Sequence, residues 1–140
     1  NRLPPLPIEW QEGDALQLPF NNDTFDCATM GYGLRNVTNL PQCLAEIKRV
    51  LKVGAKVAIL DFHHPSNPLF KQFQQWYLEH QVIPTAQRLG LTDEYAYLIP
   101  SLQQFPGGKE QVNLAYRAGF TKATHYPLAG GMMGVLVCQK

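Results

Sequence analysis

The sequence predicts an α/β fold built on a largely parallel sheet, and three observations predict it. Apolar residues at Leu40, Leu44, Ile47, Val50 and Leu51 fall at helical spacing and lead into the continuous run Val57-Ala58-Ile59-Leu60, the pattern of a strand covered on both faces. A second short apolar run, Phe25 to Met30, precedes that helix, so strand, helix and strand follow one another as in a βαβ unit. Thr121 to Tyr126 and Met132 to Cys138, joined across Pro127 to Gly131, read as a closing antiparallel hairpin.

Taken in order, Leu6 to Gly13 reads as a strand because Ile8 and Trp10 alternate with Glu9 and Gln11, and Pro7 stands at its start, where proline is tolerated. Asn21-Asn22-Asp23 is a turn cluster, and the strand after it ends in the glycine-bearing loop Gly31-Tyr32-Gly33. The following helix has Asn39 as its N-cap, Pro41 in its first turn and Gly54 just past its end. Beyond the His63-His64-Pro65-Ser66-Asn67-Pro68 loop, a helix opening near Asn67 or Pro68 carries Leu69, Phe70, Phe73, Trp76, Tyr77 and His80 on one face. Between Val82 and Phe105, prolines and a glycine interrupt short helical fragments such as Thr85 to Leu89. A last helix runs from Gly108 to Ala118 and closes at Gly119.

Composition narrows the function. With 140 residues, 45% of them hydrophobic, and a formal net charge of +1, the chain holds one domain's core and lacks the basic stripe that nucleic acid requires. Cys27, Cys43 and Cys138 are odd in number and far apart, which fits neither a disulfide framework nor a zinc site and points to a reducing, cytoplasm-like compartment. No apolar run reaches the ~18 residues of a membrane span. The opening Asn1-Arg2-Leu3-Pro4-Pro5 has neither Met nor a signal peptide's apolar region, so the chain is expected to begin inside a longer one.

In open α/β sheets ligands bind beyond the carboxyl ends of the strands, which selects the loops after Gly13, Met30 and Leu60. Asp14 is suited to accept from an exocyclic amine, and the backbone N–H of Ala15 to meet a ring nitrogen, together the edge of an adenine; a carboxylate capping a turn is the plainer alternative. In Gly31-Tyr32-Gly33-Leu34-Arg35-Asn36 the glycines permit close backbone approach, while Arg35 and Asn36 supply a fixed fork and an amide. An ordinary ion pair is the plainer role for Arg35. Asp61, His63 and His64 offer a base. A metal is disfavoured there, because adjacent histidines diverge and no cysteine joins them. The stripe from Phe70 to Tyr77 suits either the core or a channel for an apolar tail. Only Lys71 and Arg88 are basic between Pro65 and Leu102, so membrane contact would be mainly apolar.

On these residues the chain resembles class I S-adenosylmethionine-dependent methyltransferases, and specifically the menaquinone/ubiquinone C-methyltransferase family. Glu12-Gly13-Asp14-Ala15-Leu16-Gln17-Leu18-Pro19-Phe20 is similar to the adenine motif after strand three. Phe25-Asp26 followed by Gly33-Leu34-Arg35-Asn36-Val37 resembles the first signature of the quinone branch, and Arg49-Val50-Leu51-Lys52-Val53-Gly54 the second. Val53 and Ala55 stand where the family has Pro and Gly. Asp61 in place of the usual Glu, with Phe62-His63-His64-Pro65, is closer to the phylloquinone-making enzymes.

The resemblance implies a Rossmann-like sheet of order 3-2-1-4-5-7-6. Nothing matches the strand-one glycine motif or the ribose-binding acid after strand two, so residues 1–140 are expected to form the C-terminal part of a single methyltransferase domain lacking strands 1 and 2. That leaves an unpaired strand edge prone to self-association, and the stretch alone is expected to be inactive. The implied cofactor is S-adenosyl-L-methionine, with Asp14, Ala15, Gly31 and Asn36 on the cofactor side. The implied reaction is C-methylation of a prenylated or phytylated naphthoquinol, with Arg35 stabilising the phenolate and His63 or His64 as base. Implied partners are the lipophilic quinol, a membrane surface touched peripherally, and a second copy of the chain. A nucleotide-dependent oxidoreductase and a non-catalytic isoprenoid-quinone-binding module are the alternative classes.

Overall fold

The computed structural model describes residues 8–88 and 98–140. Four strands form one sheet: β1 (Phe25–Gly31), β2 (Leu51–Phe62), β3 (Lys122–Leu128) and β4 (Met133–Gln139), in the order β1-β2-β4-β3. Strand β1 runs parallel to β2, with Met30 opposite Ile59; β4 runs antiparallel to both β2 and β3, with Leu136 opposite Ile59 and His125. The expected βαβ unit and closing hairpin both form, and the order reproduces the 4-5-7-6 portion of the sheet.

Helix α1 (Leu40–Val50) makes the parallel crossover. The Asn39 side chain accepts from the Gln42 amide at 3.1 Å, and Pro41 lies in the first turn, where its missing donor costs nothing. The helix stops at Val50, earlier than Gly54 suggests. Its last carbonyls, on Arg49 and Val50, accept from the amides of Asp23 and Thr24 at 3.0 and 2.8 Å, which fixes the exit, so Leu51 already belongs to β2. Gly54 lies within the strand at φ +81°, and its N–H donates to the Lys140 carbonyl.

Alternate residues of β2 (Leu51, Ala55, Val57, Ile59, Asp61) are buried, whereas Ala58, Leu60 and Phe62 are half-buried. Of these, Leu51, Ala55, Val57 and Ile59 meet Cys43, Leu44 and Ile47 of α1, Ala115 of α5 (Gly108–Arg117), and Leu136 and Cys138 of β4 in one core. Each fully buried Leu or Ile there contributes about 1.5–3 kcal/mol of transfer free energy. Burial raises the thiols of Cys43 and Cys138 to about 11 and about 12, so both pack as small apolar groups.

The first expected strand does not form. Leu6 and Pro7 lie outside the described residues, and Ile8 to Gly13 adopt no regular structure, with Ile8 and Trp10 solvent-exposed. Alternation needs a neighbouring strand to supply hydrogen bonds and a face to bury, and neither stands beside this segment among the described residues. Only a bridge between Asp14 and Gln17 is strand-like.

Helix α2 (Pro68–Tyr77), capped by Asn67, continues through a π-helical turn (Leu78–Val82) into α3 (Ile83–Arg88). The expected fragment Thr85 to Leu89 falls in α3 except for Leu89, which lies outside the described residues. Helix α4 (Leu98–Gln104) precedes α5, and α5 closes at Gly119 with φ +92°. The aromatic stripe of α2 is not core: Leu69, Phe70, Phe73, Trp76 and Tyr77 are all exposed, and the buried side chain of the helix is Gln74.

Candidate active site

Strands β1 and β2 both deliver their carboxyl ends to the same side of the sheet, and the loops that follow them meet there. Immediately after β1, Tyr32 adopts a left-handed conformation with φ +56°, rare for a residue with a bulky side chain. Its N–H donates to Leu60 O at 2.8 Å, its ring packs 4.9 Å from that of Phe62, and its hydroxyl reaches Met133 Sδ at 3.6 Å. That conformation turns the Tyr32 carbonyl into an anchor, which accepts from Arg35 Nη1 at 3.3 Å and Asn36 Nδ2 at 3.2 Å. Residues 34–36 then close a short 3₁₀ turn over the buried Leu34.

Arg35 is gripped twice by Asp61 at the end of β2. Nη1 donates to Oδ1 at 2.5 Å and the backbone N–H to Oδ2 at 3.0 Å. The side chains of the pair are 6% and 2% exposed, so the ion pair is buried. The Phe62 amide also donates to Asp61 Oδ1, and the Arg35 guanidinium lies 5.2 Å from the centre of the Phe62 ring. Arg35 Nε, however, is buried without a partner. A guanidinium held this tightly with a spare donor is the most distinctive electrostatic feature of the loop cluster.

Gly31 ends β1 in the open: a Cβ there would meet nothing within 4 Å. Asp14 is also exposed; its Oδ1 accepts from the Leu16 amide at 2.8 Å, a local turn-capping bond. Ala15 is half-buried against the core.

The two adjacent histidines separate completely. His64 is exposed and lines a cavity of about 250 Å³ with Lys71, Gln74, Leu78, Leu102 and Gln103. His63 is buried: its Nε2 lies 3.0 Å from Gln111 Nε2 and 3.1 Å from His125 Nε2. The Gln111 amide also donates to Pro106 O at 2.8 Å, which fixes its nitrogen as the donor toward His63. Burial, and then the neighbouring His125, push the His63 imidazole down to about 4, against an opposing pull from Asp61. His63 is thus a neutral acceptor inside the fold, unlike the solvent-facing His64.

Arg35, Asn36, Gly31 and Asp61 therefore converge at the strand ends, and His64 borders the neighbouring cavity. Sequence reasoning missed Tyr32, Gln74, Gln111 and His125. The position of Tyr32 between two glycines was the one available signal; the glutamines and His125 act through contacts distant in sequence. Among the described residues no three His, Cys, Asp or Glu side chains are grouped to hold a metal ion, and no helix is long and apolar enough to cross a membrane.

The residues present fit the adenine end of S-adenosylmethionine: an exposed carboxylate at Asp14 offers an acceptor, and the bare backbone at Gly31 leaves room for a ligand. Solved structures share the fold. A SAM-dependent methyltransferase from Thermotoga maritima superposes with TM-score 0.62 at 18% identity, covering 91% of this chain and 62% of that one. One from Aquifex aeolicus gives 0.60 at 15% identity, covering 93% and 53%. Among curated relatives, the 2-phytyl-1,4-naphtoquinone methyltransferase of Trichormus variabilis is 61% identical over 133 residues, covering 95% of this chain and 58% of its own length. The chloroplastic 2-phytyl-1,4-beta-naphthoquinone methyltransferase of Arabidopsis thaliana is 44% identical over 133 residues, covering 95% and 51%. The chain thus spans about three-fifths or less of the length of these relatives. A profile of the ubiE/COQ5 methyltransferase family matches residues 4–140, and with the sheet order and the Arg35 loop already in place, the chain belongs to that family.

Proposed function

We propose that residues 1–140 are the C-terminal part of a single methyltransferase domain whose complete enzyme C-methylates 2-phytyl-1,4-naphthoquinol. The observation that carries this reading is the 61% identity, over 95% of the chain, to a relative named for that substrate. S-adenosylmethionine, when bound, supplies an electrophilic methyl group; Asp14, Ala15, Gly31 and Asn36 are the residues of this chain that would face it.

The chemical demand on the protein is to make a ring carbon nucleophilic. Ionising the adjacent phenol does so, and with a phenolic pKa near ~10 this costs about 4 kcal/mol at neutral pH. Arg35 is built to reduce that cost. Asp61 and the Tyr32 carbonyl fix its guanidinium, so no reorganisation is needed when negative charge develops. A charge-assisted hydrogen bond from it would contribute roughly 1.5–3 kcal/mol. The other part falls to a base. His63 has its Nε2 engaged and its basicity depressed, which favours His64 as the proton acceptor, a role of about 100-fold or more in rate. His63 then positions the strand end. The cavity beside His64 is the natural seat for the quinol head.

The exposed rings of α2 support a place for the phytyl tail and for peripheral contact with a membrane surface. They form one face, Phe73 lies 6.2 Å from Trp76 and 6.3 Å from Tyr77, and Lys71 is the helix's single charge. In this stretch alone a second copy would add at the open edge of β1; in the complete domain the preceding strands of the sheet take that place.

Methyl-labelled S-adenosylmethionine and reduced 2-phytyl-1,4-naphthoquinone, incubated with the complete enzyme, should place label on the naphthol ring. Ring-unlabelled product, or label carried on oxygen, would overturn the assignment. Flotation with phosphatidylcholine vesicles tests the membrane contact, which fails if a Phe73→Ser, Trp76→Ser variant floats as well as the parent.

A further inference from the structure

The loop that carries Asp14 and Ala15 owes its shape to α1. A guanidinium has five N–H donors, and at Arg49 every one is used. Nε donates to Glu46 Oε1 at 2.8 Å; Nη2 donates to Glu46 Oε2 and to Leu18 O, each at 2.9 Å; Nη1 donates to Phe20 O at 2.8 Å and Asn22 Oδ1 at 2.9 Å. Glu46 Oε2 also accepts from the Leu18 amide at 2.9 Å, so residue 18 is held at both its N–H and its carbonyl. A turn earlier, Gln42 Nε2 donates to Leu16 O at 2.9 Å. Residues 42, 46 and 49 are spaced four and three apart, which puts them along one edge of the helix.

Within the loop itself, the Gln17 amide reaches Asp14 O at 3.0 Å and the Phe20 amide reaches Leu18 O at 2.8 Å. The contacts with α1 set where that short turn sits. Glu46 and Arg49 are 18% and 30% exposed, so this is not a solvated surface pair of the kind that contributes little. The Arg49 guanidinium holds the Glu46 carboxyl below its usual range, which keeps both acceptor oxygens available. An ammonium could not replace the planar fork, because it would reach one or two of the acceptors and leave the rest.

We propose that Arg49, clamped by Glu46 and assisted by Gln42, is a positioning residue for cofactor recognition: it sets where the Asp14 carboxylate and the Ala15 amide stand. The inference rests on the reading of that loop as the adenine contact.

The test uses the complete enzyme, with S-adenosylmethionine titrated calorimetrically into the parent and into Arg49→Lys, Gln42→Ala and Asp14→Ala. Arg49→Lys should weaken cofactor binding about tenfold and Gln42→Ala about two- to threefold, the size of one charge-assisted and one neutral hydrogen bond. The change in KM for the quinol, and in kcat at saturating cofactor, should be smaller than the change in cofactor affinity. If Arg49→Lys folds and binds cofactor like the parent while Asp14→Ala does not, the positioning role is overturned. If Asp14→Ala also binds like the parent, the adenine reading fails and takes the inference with it. Equal losses in kcat, quinol KM and cofactor affinity would mark a general structural role and also overturn it. Should Arg49→Lys not fold, Gln42→Ala, which loses one exposed bond, carries the test, and unchanged cofactor affinity there overturns the proposal.

Discussion

His63 and His125 share one hydrogen bond through their Nε2 atoms, 3.1 Å apart across the β2–β4–β3 sheet. Because the Gln111 amide also points at His63 Nε2, that atom must accept from both neighbours and cannot carry a proton. The second imidazole is therefore the donor, and the arrangement holds only while His63 is neutral.

That requirement makes stability pH-dependent in a defined direction. The unfolded chain protonates this histidine near its ordinary value of 6.5, whereas burial holds the folded one at about 4. Protons then bind preferentially to the unfolded state, so the full contribution is present above about 6.5 and is lost as pH falls toward about 4. The loss should be on the order of 3 kcal/mol. His125 shifts the same way by burial and adds to it. Urea unfolding of the complete enzyme across this range should show a slope that His63→Gln flattens; an equal slope in parent and variant would assign the pH dependence elsewhere.

Gly134 makes room for the pair. A Cβ at this position would run into the His125 ring and come within 3.0 Å of His63 Cδ2. Gly134→Ala should therefore destabilise by about 1–3 kcal/mol, the usual cost of overpacking, and displace the His125 imidazole resonances in an NMR spectrum. An alanine variant as stable as the parent would show that the rings have space to move.

The Arg35–Asp61 pair predicts a double-mutant result. Removing either partner leaves a buried, unpaired charge, at a cost of about 3–5 kcal/mol. Arg35→Leu and Asp61→Leu should each be strongly destabilised, and the double variant should recover much of the loss. In turnover, Arg35→Leu should lower kcat by about tenfold to a hundredfold, in line with one charge-assisted bond to the phenolate, and the double variant should not regain it. Recovered turnover in the double variant would place the catalytic charge elsewhere.

The parts of the fold written in local chemistry were legible in advance. Asn39 and Pro41 fix the start of α1, the Val57 to Leu60 run is a central strand, and Lys122 to Gln139 forms the hairpin. Misreadings arose where a distant partner decides the outcome. Ile8 and Trp10 alternate like a strand, but alternation does not supply a neighbour to pair with. The aromatic face of α2 has the periodicity of a core helix, yet its buried position is Gln74, whose side-chain amide donates to the His63 carbonyl at the strand end. For the candidate site, the glycines and Arg35 announced their loop. The division of labour between His63 and His64 did not show, since neighbouring residues on a strand end face opposite ways and only the fold says which side is solvent.

Gln74 yields the last prediction. Its side-chain amide donates to His63 O at 2.8 Å and Met132 O at 3.3 Å. It thereby ties α2 to the end of β2 and the start of β4. Met132 O keeps a second donor, the His63 amide at 2.9 Å, but His63 O would be left exposed to an apolar replacement. Gln74→Leu should therefore cost about 1–3 kcal/mol and speed amide hydrogen exchange across α2 while leaving α1 unchanged. If the exposed rings of α2 seat the phytyl tail, a Phe73→Ser variant, which leaves the Gln74 side of the cavity intact, should raise KM for the phytylated quinol and spare a quinol without a tail. Equal effects on the two substrates would separate α2 from tail recognition, and unchanged exchange in Gln74→Leu would show that the helix is anchored by something other than this glutamine.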